Sequence, residues 1–508
     1  MVELISHIGL DVFVLLYGAL FLFPVMDRLG MMLTVSISWF IAWTVIVFSY
    51  IIILLAGVNV SISNLLAALI LILIFVLTWH FQKGKDYSYN LDAVVAIKFL
   101  KIIIIAISMT SIVVLFCDYI HFSPDSSQYD ALISMLNRTD MSEIKTGGVY
   151  YWLYNARLPF FIIPHNIARL CGVDVYYSFT SLTSFFVLFG LTGFWLKTHI
   201  EQKLISYTWL LISLALLMSN IMVRFHTFYM HSNLLAMAYM SLGCLSLSLF
   251  IKTKDNLWFL LGCILLGSTG IIRKEMLLLS LIPFVVLGLK GVFPDRKTVF
   301  WGCGMFGLLS FLWFMNYCLA SIDLEGLLNN GVVVTQHGGA EIVFVCLFLS
   351  IIIFVFPWSV LKKYSVKIFS ALILGVMLFL YCYDKSEFIS TLMELHSLVL
   401  DGKGFWGDAW SIFFLSAFAF FLVCVVGKEK RPTFESISFL TGVIFCYFVG
   451  RVVIYVILVD PSAVHWGSSG NRVLLHIYPM AAYCIGLIGY ELSLTEYLSY
   501  SGLYRRPL

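Results

Sequence analysis

Charge is what this chain has least of. Asp, Glu, Lys and Arg make up 12% of its 508 residues against 61% hydrophobic ones, and the mean hydropathy is +0.98. A soluble globule is excluded at that ratio, because too little polar surface remains to face water. Eleven cysteines occur, but none forms a CxxC, and Cys263, Cys303, Cys346, Cys424 and Cys446 each sit singly inside an apolar run. Such spacing implies neither a disulfide framework nor a zinc site. No small-residue cleavage site follows the first apolar stretch, Ile8 to Met26, so it reads as a retained span rather than a secretory signal. No convincing internal repeat is visible either.

What the chain does have is a series of apolar runs, each near the roughly 20 residues that cross about 30 Å of hydrocarbon. They fall near 8–25, 31–56, 62–81, 99–117, 174–196, 204–222, 232–251, 257–272, 276–290, 298–320, 341–360, 368–383, 409–427, 433–459 and 473–492. The expected fold is all-α: a polytopic membrane helical bundle of about 13–15 transmembrane helices. Bases alternate between the connections. One set, with Arg28, 83–101, 197–203, 252–254, 290–297, 362–367, 428–431 and Arg505–Arg506, holds 20 of the 31 Lys and Arg in short loops. By the positive-inside rule that set is cytoplasmic, and the C-terminus with it.

The opposite face carries the long loops, 118–173, 321–340, 384–408 and 460–472. Its bases are of a different kind. Only 5 of the 20 cytoplasmic bases are arginine, whereas 7 of the other 11 are: Arg138, Arg157, Arg169, Arg224, Arg273, Arg451 and Arg472. Lysine suffices to orient a helix, but arginine's planar fork grips phosphate or carboxylate at two points. The working face is therefore expected to point away from the cytoplasm.

Four stretches there combine ionisable groups, and a lone arginine joins them. "CDYIHFSPDSSQYDALI" brings Asp118, Asp125 and Asp130 to the mouth of a membrane helix, just ahead of a short amphipathic helix over 126–137. A second interfacial or re-entrant segment is expected over 150–171, where aromatics surround an apolar run broken by prolines. "VRFHTFYMHSN" supplies Arg224, His226, Tyr229 and His231, and "GIIRKEMLLL" sets Arg273, Lys274 and Glu275 between two spans. Arg451 interrupts an apolar run, where a charge is costly and normally faces a bundle interior. "HWGSSGNRVLLHIYP" adds His465, Asn471, Arg472, His476 and Tyr478 before the last span. Ordinary readings stand beside these: Asp118 and Asp130 as solvated boundary residues, Asp125 as a helix cap, Arg273 to Glu275 as a self-neutralised turn, Arg451 as a snorkelling side chain.

In their order along the chain these residues resemble the GT-C superfamily of polyprenyl-phosphate-sugar-dependent glycosyltransferases. Asp125-Ser126-Ser127-Gln128-Tyr129 looks like that family's first luminal loop, Arg273-Lys274-Glu275 like its arginine-acidic turn, and Gly470-Asn471-Arg472 like its late G-N-R helix start. The likeness covers roughly 99–290 and 460–490. It implies N-terminal helices over 1–98 added to a catalytic module over 99–320, with acceptor-side helices and loops over 321–508. It also implies inverting transfer of a sugar from a lipid-phosphate donor to an acceptor hydroxyl of a glycan, lipid or protein. Asp125 would be the general base, with Asp118 and Asp130 around it. Arg273 and Arg472 would hold the donor phosphate, backed by Arg224 and Arg451. Tyr129, His231, Glu275, His465, Asn471 and Trp406 would meet sugar or acceptor. The sequence departs from the family in two ways. Asp125 has serines where a second neighbouring carboxylate is usual, so no metal or other cofactor is implied, and three spans precede the helix that is usually first.

Other classes remain open at this stage. A secondary transporter or flippase of an anionic substrate would place charges at mid-membrane. An envelope polysaccharide polymerase or ligase would put its chemistry in loop 384–408, and a structural membrane subunit needs none of it. The expected location is a bacterial inner membrane, with the site facing the periplasm or exterior. The orientation has a direct test. In Asp140→Cys, Leu400→Cys and Lys430→Cys variants, an impermeant thiol reagent added outside should label the first two and spare the third. Labelling of position 140 from the cytoplasmic side alone would reverse the topology.

Overall fold

Hydrocarbon supplies no hydrogen-bond partners, so apolar runs must satisfy their own backbone, and the helix does this within one segment. The computed structural model describes residues 2–56, 58, 60–83, 93–115, 133, 159–173, 179–198, 203–229, 231–273, 275–321, 339–356, 365–400, 406–426, 432–458 and 473–500. Asp118, Asp125, Tyr129, Asp130, His465, Asn471 and Arg472 lie outside the described residues, as does the expected helix over 126–137 apart from the buried Ile133. Among the described residues all regular structure is helical and none is strand.

The first helices are α1 (Val2–Leu22), α2 (Met31–Leu55), α3 (Ile62–Lys83), α4 (Ala93–Leu115) and the short α5 (Pro159–Leu170). Next come α6 (Phe179–Thr198), α7 (Lys203–Ser219), α8 (Ile221–Thr227), α9 (Ser232–Thr253) and α10 (Asn256–Thr269). The chain continues through α11 (Met276–Leu279), α12 (Ile282–Leu289), α13 (Arg296–Ser321), α14 (Gly339–Val355) and α15 (Ser365–Tyr383). It closes with α16 (Lys385–Val399), α17 (Ala409–Val426), α18 (Pro432–Leu458) and α19 (Tyr478–Tyr500). Among the described residues seven helical segments are long and apolar enough to cross a membrane, or eight if α7 and α8, bent by 68°, are one broken span. Apolar helices of 10–17 residues lie between them. The chain is an integral, multi-pass, all-α membrane bundle. Its outer surface agrees: Leu71, Phe75, Leu204 and Leu415 are each more than 60% exposed, an apolar belt that water would not tolerate.

At the centre stands α9, whose spanning window is buried throughout. It packs on α6, α10, α18 and the single 3-10 turn Leu474–Ile477 that leads into α19. Polar side chains cross-link this centre. Tyr239 donates to the Phe40 carbonyl at 2.7 Å and shares a bond with Thr44, which also reaches Ser268. Ser36 and Trp39 of α2 reach α6 at the Phe186 carbonyl and the Thr183 hydroxyl. Small residues let backbones approach where such bonds cannot. A Cβ placed on Gly18 of α1 would overlap the Ser38 carbonyl of α2.

The two ends of the bundle differ in chemistry. At one end Arg28 pairs with Asp255 and Lys98 with Asp27. There too the Lys252 ammonium donates to the Thr198 carbonyl at 2.6 Å, and Lys290 to the Ser438 hydroxyl at 3.1 Å. The described base-rich connections around Arg28, Lys98, Lys252 and Lys290 thus lie at one end. α5 belongs to the other end. In the described part of the expected 150–171 segment Phe160 to Ala168 are buried against protein, and Asn166 donates to the Tyr50 hydroxyl at 2.7 Å.

The α1–α2 contact can be tested within one helix. Gly18→Ala should lower thermal stability in detergent, because overpacking costs about 1–3 kcal/mol and exceeds the gain in helix propensity. Gly9→Ala, where nothing lies within 4 Å of the added Cβ, should be neutral or slightly stabilising. Equal melting of the two variants would show that the helices part without cost.

Candidate functional site

The end opposite the lysines gathers buried ionisable and polar side chains from five segments. Each is aimed there by a local feature of its sequence. α7 breaks at Asn220, whose side-chain oxygen accepts from the Met222 and Val223 amides and so caps the bent-away α8. α8 then buries His226, whose Nδ1 lies 2.9 Å from the Met222 carbonyl. The same helix leaves Arg224 exposed. His231 starts α9: its Nδ1 accepts from the Asn233 amide at 3.3 Å, and its ring stacks on Tyr229 with centroids 5.6 Å apart.

The next contribution is the turn after α10. Arg273 and Met276 amides bond back to the Thr269 and Arg273 carbonyls, and the Ile271 carbonyl accepts from the Phe160 amide at the start of α5. Gly270 permits this, since a Cβ there would stand 3.1 Å from the Ser310 backbone of α13. Arg273 is thereby held over the start of α9. Its Nε pairs with Glu275 and its guanidinium reaches the Ser232 hydroxyl at 3.4 Å. The pair is mostly buried, so it is worth more than a surface ion pair but also carries a desolvation penalty.

α18 and the turn before α19 close the site from the other side. Tyr447 and Arg451, four residues apart, share one face of α18. The Tyr447 hydroxyl lies 2.7 Å from His476 Nδ1 and 3.3 Å from the Val473 carbonyl. His476 Nε2 lies 3.3 Å from Asn233 Oδ1. With the amide oxygen facing the ring, a neutral His476 donates from Nε2 to Asn233 and accepts at Nδ1 from Tyr447. The Asn233 amide nitrogen is buried and has no hydrogen-bond partner among the described residues. An unmade buried donor of this kind costs about 1–3 kcal/mol.

Arg451 is 1% exposed, so it does not snorkel to the surface. Arg273, Arg451 and His226 all lie within electrostatic reach of His476. Arg451 also acts on Glu394, a residue of α16. That helix begins at Asp384, whose carboxylate accepts from the Glu387 amide at 3.0 Å and from the Ser386 hydroxyl. Backbone and hydroxyl donors hold the Asp384 carboxyl below its ordinary value. α16 is clipped to α18 by a satellite cluster of Phe388 and Leu380 against Val452 and Val456. Burial pushes the Glu394 carboxyl from 4.5 up to about 7, with Arg451 opposing the rise and Glu387 adding to it.

The residues expected from the sequence are therefore distributed unevenly. Arg273, Glu275 and His231 meet at the start of α9, and Arg451 joins them through His476. Arg224 stands on the exposed side of α8. Trp406 is packed with Trp410 and Tyr478 at centroid distances of 5.8 and 5.1 Å and is 2% exposed, so it offers no open face for a sugar to stack on. Asn233, Tyr447 and Glu394 were not among the expected site residues. The spacing of Tyr447 to Arg451 was a readable signal, whereas Asn233 and Glu394 carried none beyond their place in polar stretches. No cluster of three His, Cys, Asp or Glu with metal-binding geometry occurs among the described residues.

Glu394 gives the site a pH signature. Between 4.5 and about 7 the unfolded chain has released this proton while the folded chain still holds it, so stability falls as pH rises through that window. Glu394→Gln should abolish the fall. Wild type and variant should melt together below about pH 4, and the variant should melt higher above about pH 7. Melting curves that stay parallel across the whole range would place no buried titration at Glu394.

No family model matches the chain, and neither a curated protein nor a solved structure matches it.

Proposed function

We propose that the chain is a membrane glycosyltransferase. It takes a sugar from a polyprenyl-phosphate donor and passes it, with inversion, to an acceptor hydroxyl on the non-cytoplasmic face. The observation that carries this reading is the joint placement of Arg273 and Arg451 around His476 and Asn233, at the end of the bundle opposite the lysine-rich one. Two guanidiniums at this end, Arg273 and Arg451, suit an anionic headgroup. Buried cations can meet the charge that grows on a phosphate leaving group, where low dielectric strengthens them. The apolar helices beside them suit an isoprenoid chain.

The resemblance to the GT-C superfamily supplies the base, Asp125, and a further phosphate ligand, Arg472. It makes the lysine-rich end cytoplasmic and the arginine end periplasmic or exterior, in a bacterial inner membrane. Asp125 would accept the acceptor's proton as its oxygen attacks the anomeric carbon, a contribution of about 10² to 10⁴ in rate. The His231 cap and the Arg273–Glu275 pair would fix the floor on which the headgroup rests.

One observation favours a second reading, a proton-coupled transporter of an anionic substrate. Asp11 is 1% exposed within the α1 span and accepts from the Thr110 hydroxyl of α4 at 2.9 Å. Buried carboxyls of that kind often mark proton paths. Variants separate the two readings. Asp125→Asn should cut sugar transfer from a radiolabelled lipid donor by about two orders of magnitude while donor binding survives. Arg273→Lys keeps the charge but loses the fork, and should lower turnover substantially. Asp11→Asn should leave transfer unchanged. Normal transfer by Asp125→Asn and Arg273→Lys, with substrate uptake lost in Asp11→Asn, would replace the transferase by the transporter.

A further inference from the structure

We infer that the side-chain amide of Asn233 is a ligand contact, donating a hydrogen bond to a phosphate oxygen of the molecule bound beside Arg273. The phosphate class rests on the proposed reaction; the donor itself rests on geometry. Asn233 is fully buried at the second residue of α9. Three of its four polar atoms have visible uses. Its backbone amide donates to His231 Nδ1, its backbone carbonyl belongs to the helix, and Oδ1 faces His476 Nε2. Only Nδ2 has no partner among the described residues.

Nothing about folding α9 calls for that atom. A serine or alanine in the first turn would continue the helix without it, and a lone buried donor weakens the fold until something accepts from it. Its surroundings say what would. Ser232, the preceding residue, is already bonded to Arg273, and the ring that holds Oδ1 has Arg273 and Arg451 as its charged neighbours. Guanidiniums near the amide favour an anionic acceptor over a neutral one, and a phosphate oxygen can accept from the amide as well. The Tyr447–His476 contact is compatible with the amide as placed, oxygen toward the ring and nitrogen away from it. With His476 donating from Nε2, the oxygen of Asn233 is taken and the nitrogen is presented.

The test uses the full chain in phosphatidylcholine nanodiscs, with thermal stabilisation as the readout of binding. The added probes are undecaprenyl phosphate, undecaprenol and inorganic phosphate. Wild type should be stabilised by undecaprenyl phosphate and not by undecaprenol. Asn233→Asp keeps an acceptor for His476 and removes the donor, and Asn233→Leu removes the donor without adding charge. Both should weaken binding by about 10- to 100-fold, the range expected for a hydrogen bond to a charged group. Weakening in Asn233→Asp alone would mean charge repulsion and would sink the inference, as would unchanged binding in both. Stabilisation by inorganic phosphate that depends equally on Asn233 would keep the contact and remove the lipid from it. Wild type that responds to no probe overturns this inference together with the proposed reaction, whereas wild type that binds while both variants match it overturns this inference alone. Should neither variant fold, the lipid-bound structure of wild type decides: a phosphate oxygen within about 3.5 Å of Asn233 Nδ2 supports the contact, and a larger separation refutes it.

Discussion

Along its spanning window α9 touches no lipid, and every polar group it carries must be met by protein. In hydrocarbon an unmet group costs several kcal/mol, so these groups select the helices that stand around it. Tyr239 brings the Phe40 carbonyl of α2 to one side, and Asn233 brings His476 to another. Ser232 draws in the arginine of the following turn. The apolar contacts then fill the space between these fixed points. Because the first turn of α9 is where α8, α10, α18 and the 474–477 turn converge, the concentration of chemistry there follows from the packing rather than standing apart from it.

The site is built from pairs in which one partner restrains the other. Glu275 restrains Arg273, His476 restrains Asn233, and Tyr447 restrains His476. On the proposed reading such restraint would reduce the reorganisation needed to meet a charged headgroup, which is the advantage of preorganised over mobile donors. Glu394 differs, because α16 packs on α18 through a small cluster around Phe388 and meets the main core at its last residues, Leu398 and Val399. Its carboxyl changes charge near neutrality.

Much of the architecture was legible because the bilayer imposes a simple rule on composition. Hydropathy marks helices, and the alternation of bases sorts the connections into two ends, which the Arg28–Asp255 and Lys98–Asp27 pairs bring together. Charged site residues were legible for the same reason: Arg273, Glu275 and Arg451 stand out against an apolar background. Neutral polar residues do not. Asn233 looks like any helix-start residue, and only its bond to a histidine 243 positions away distinguishes it. Trp406 failed in the opposite sense, since an aromatic that stacks on a ligand and one that stacks on Trp410 and Tyr478 look alike in one dimension. The 159–170 helix was placed at the right end but its depth was not readable, because prolines and aromatics suit an interface as well as a buried segment.

That separation of 243 positions between Asn233 and His476 also has a temporal meaning. At a synthesis rate of about 5–20 residues per second, α9 enters the membrane roughly 10–50 s before its last neighbours exist. During that interval its polar face has no Tyr447, Arg451 or His476 to meet it. The newborn helix must be sheltered by the insertion machinery, by a chaperone or by transient neighbours such as α2 and α6. The protein therefore spends its synthesis inactive, and a chain that stops early leaves an open seam for the membrane's quality control to find.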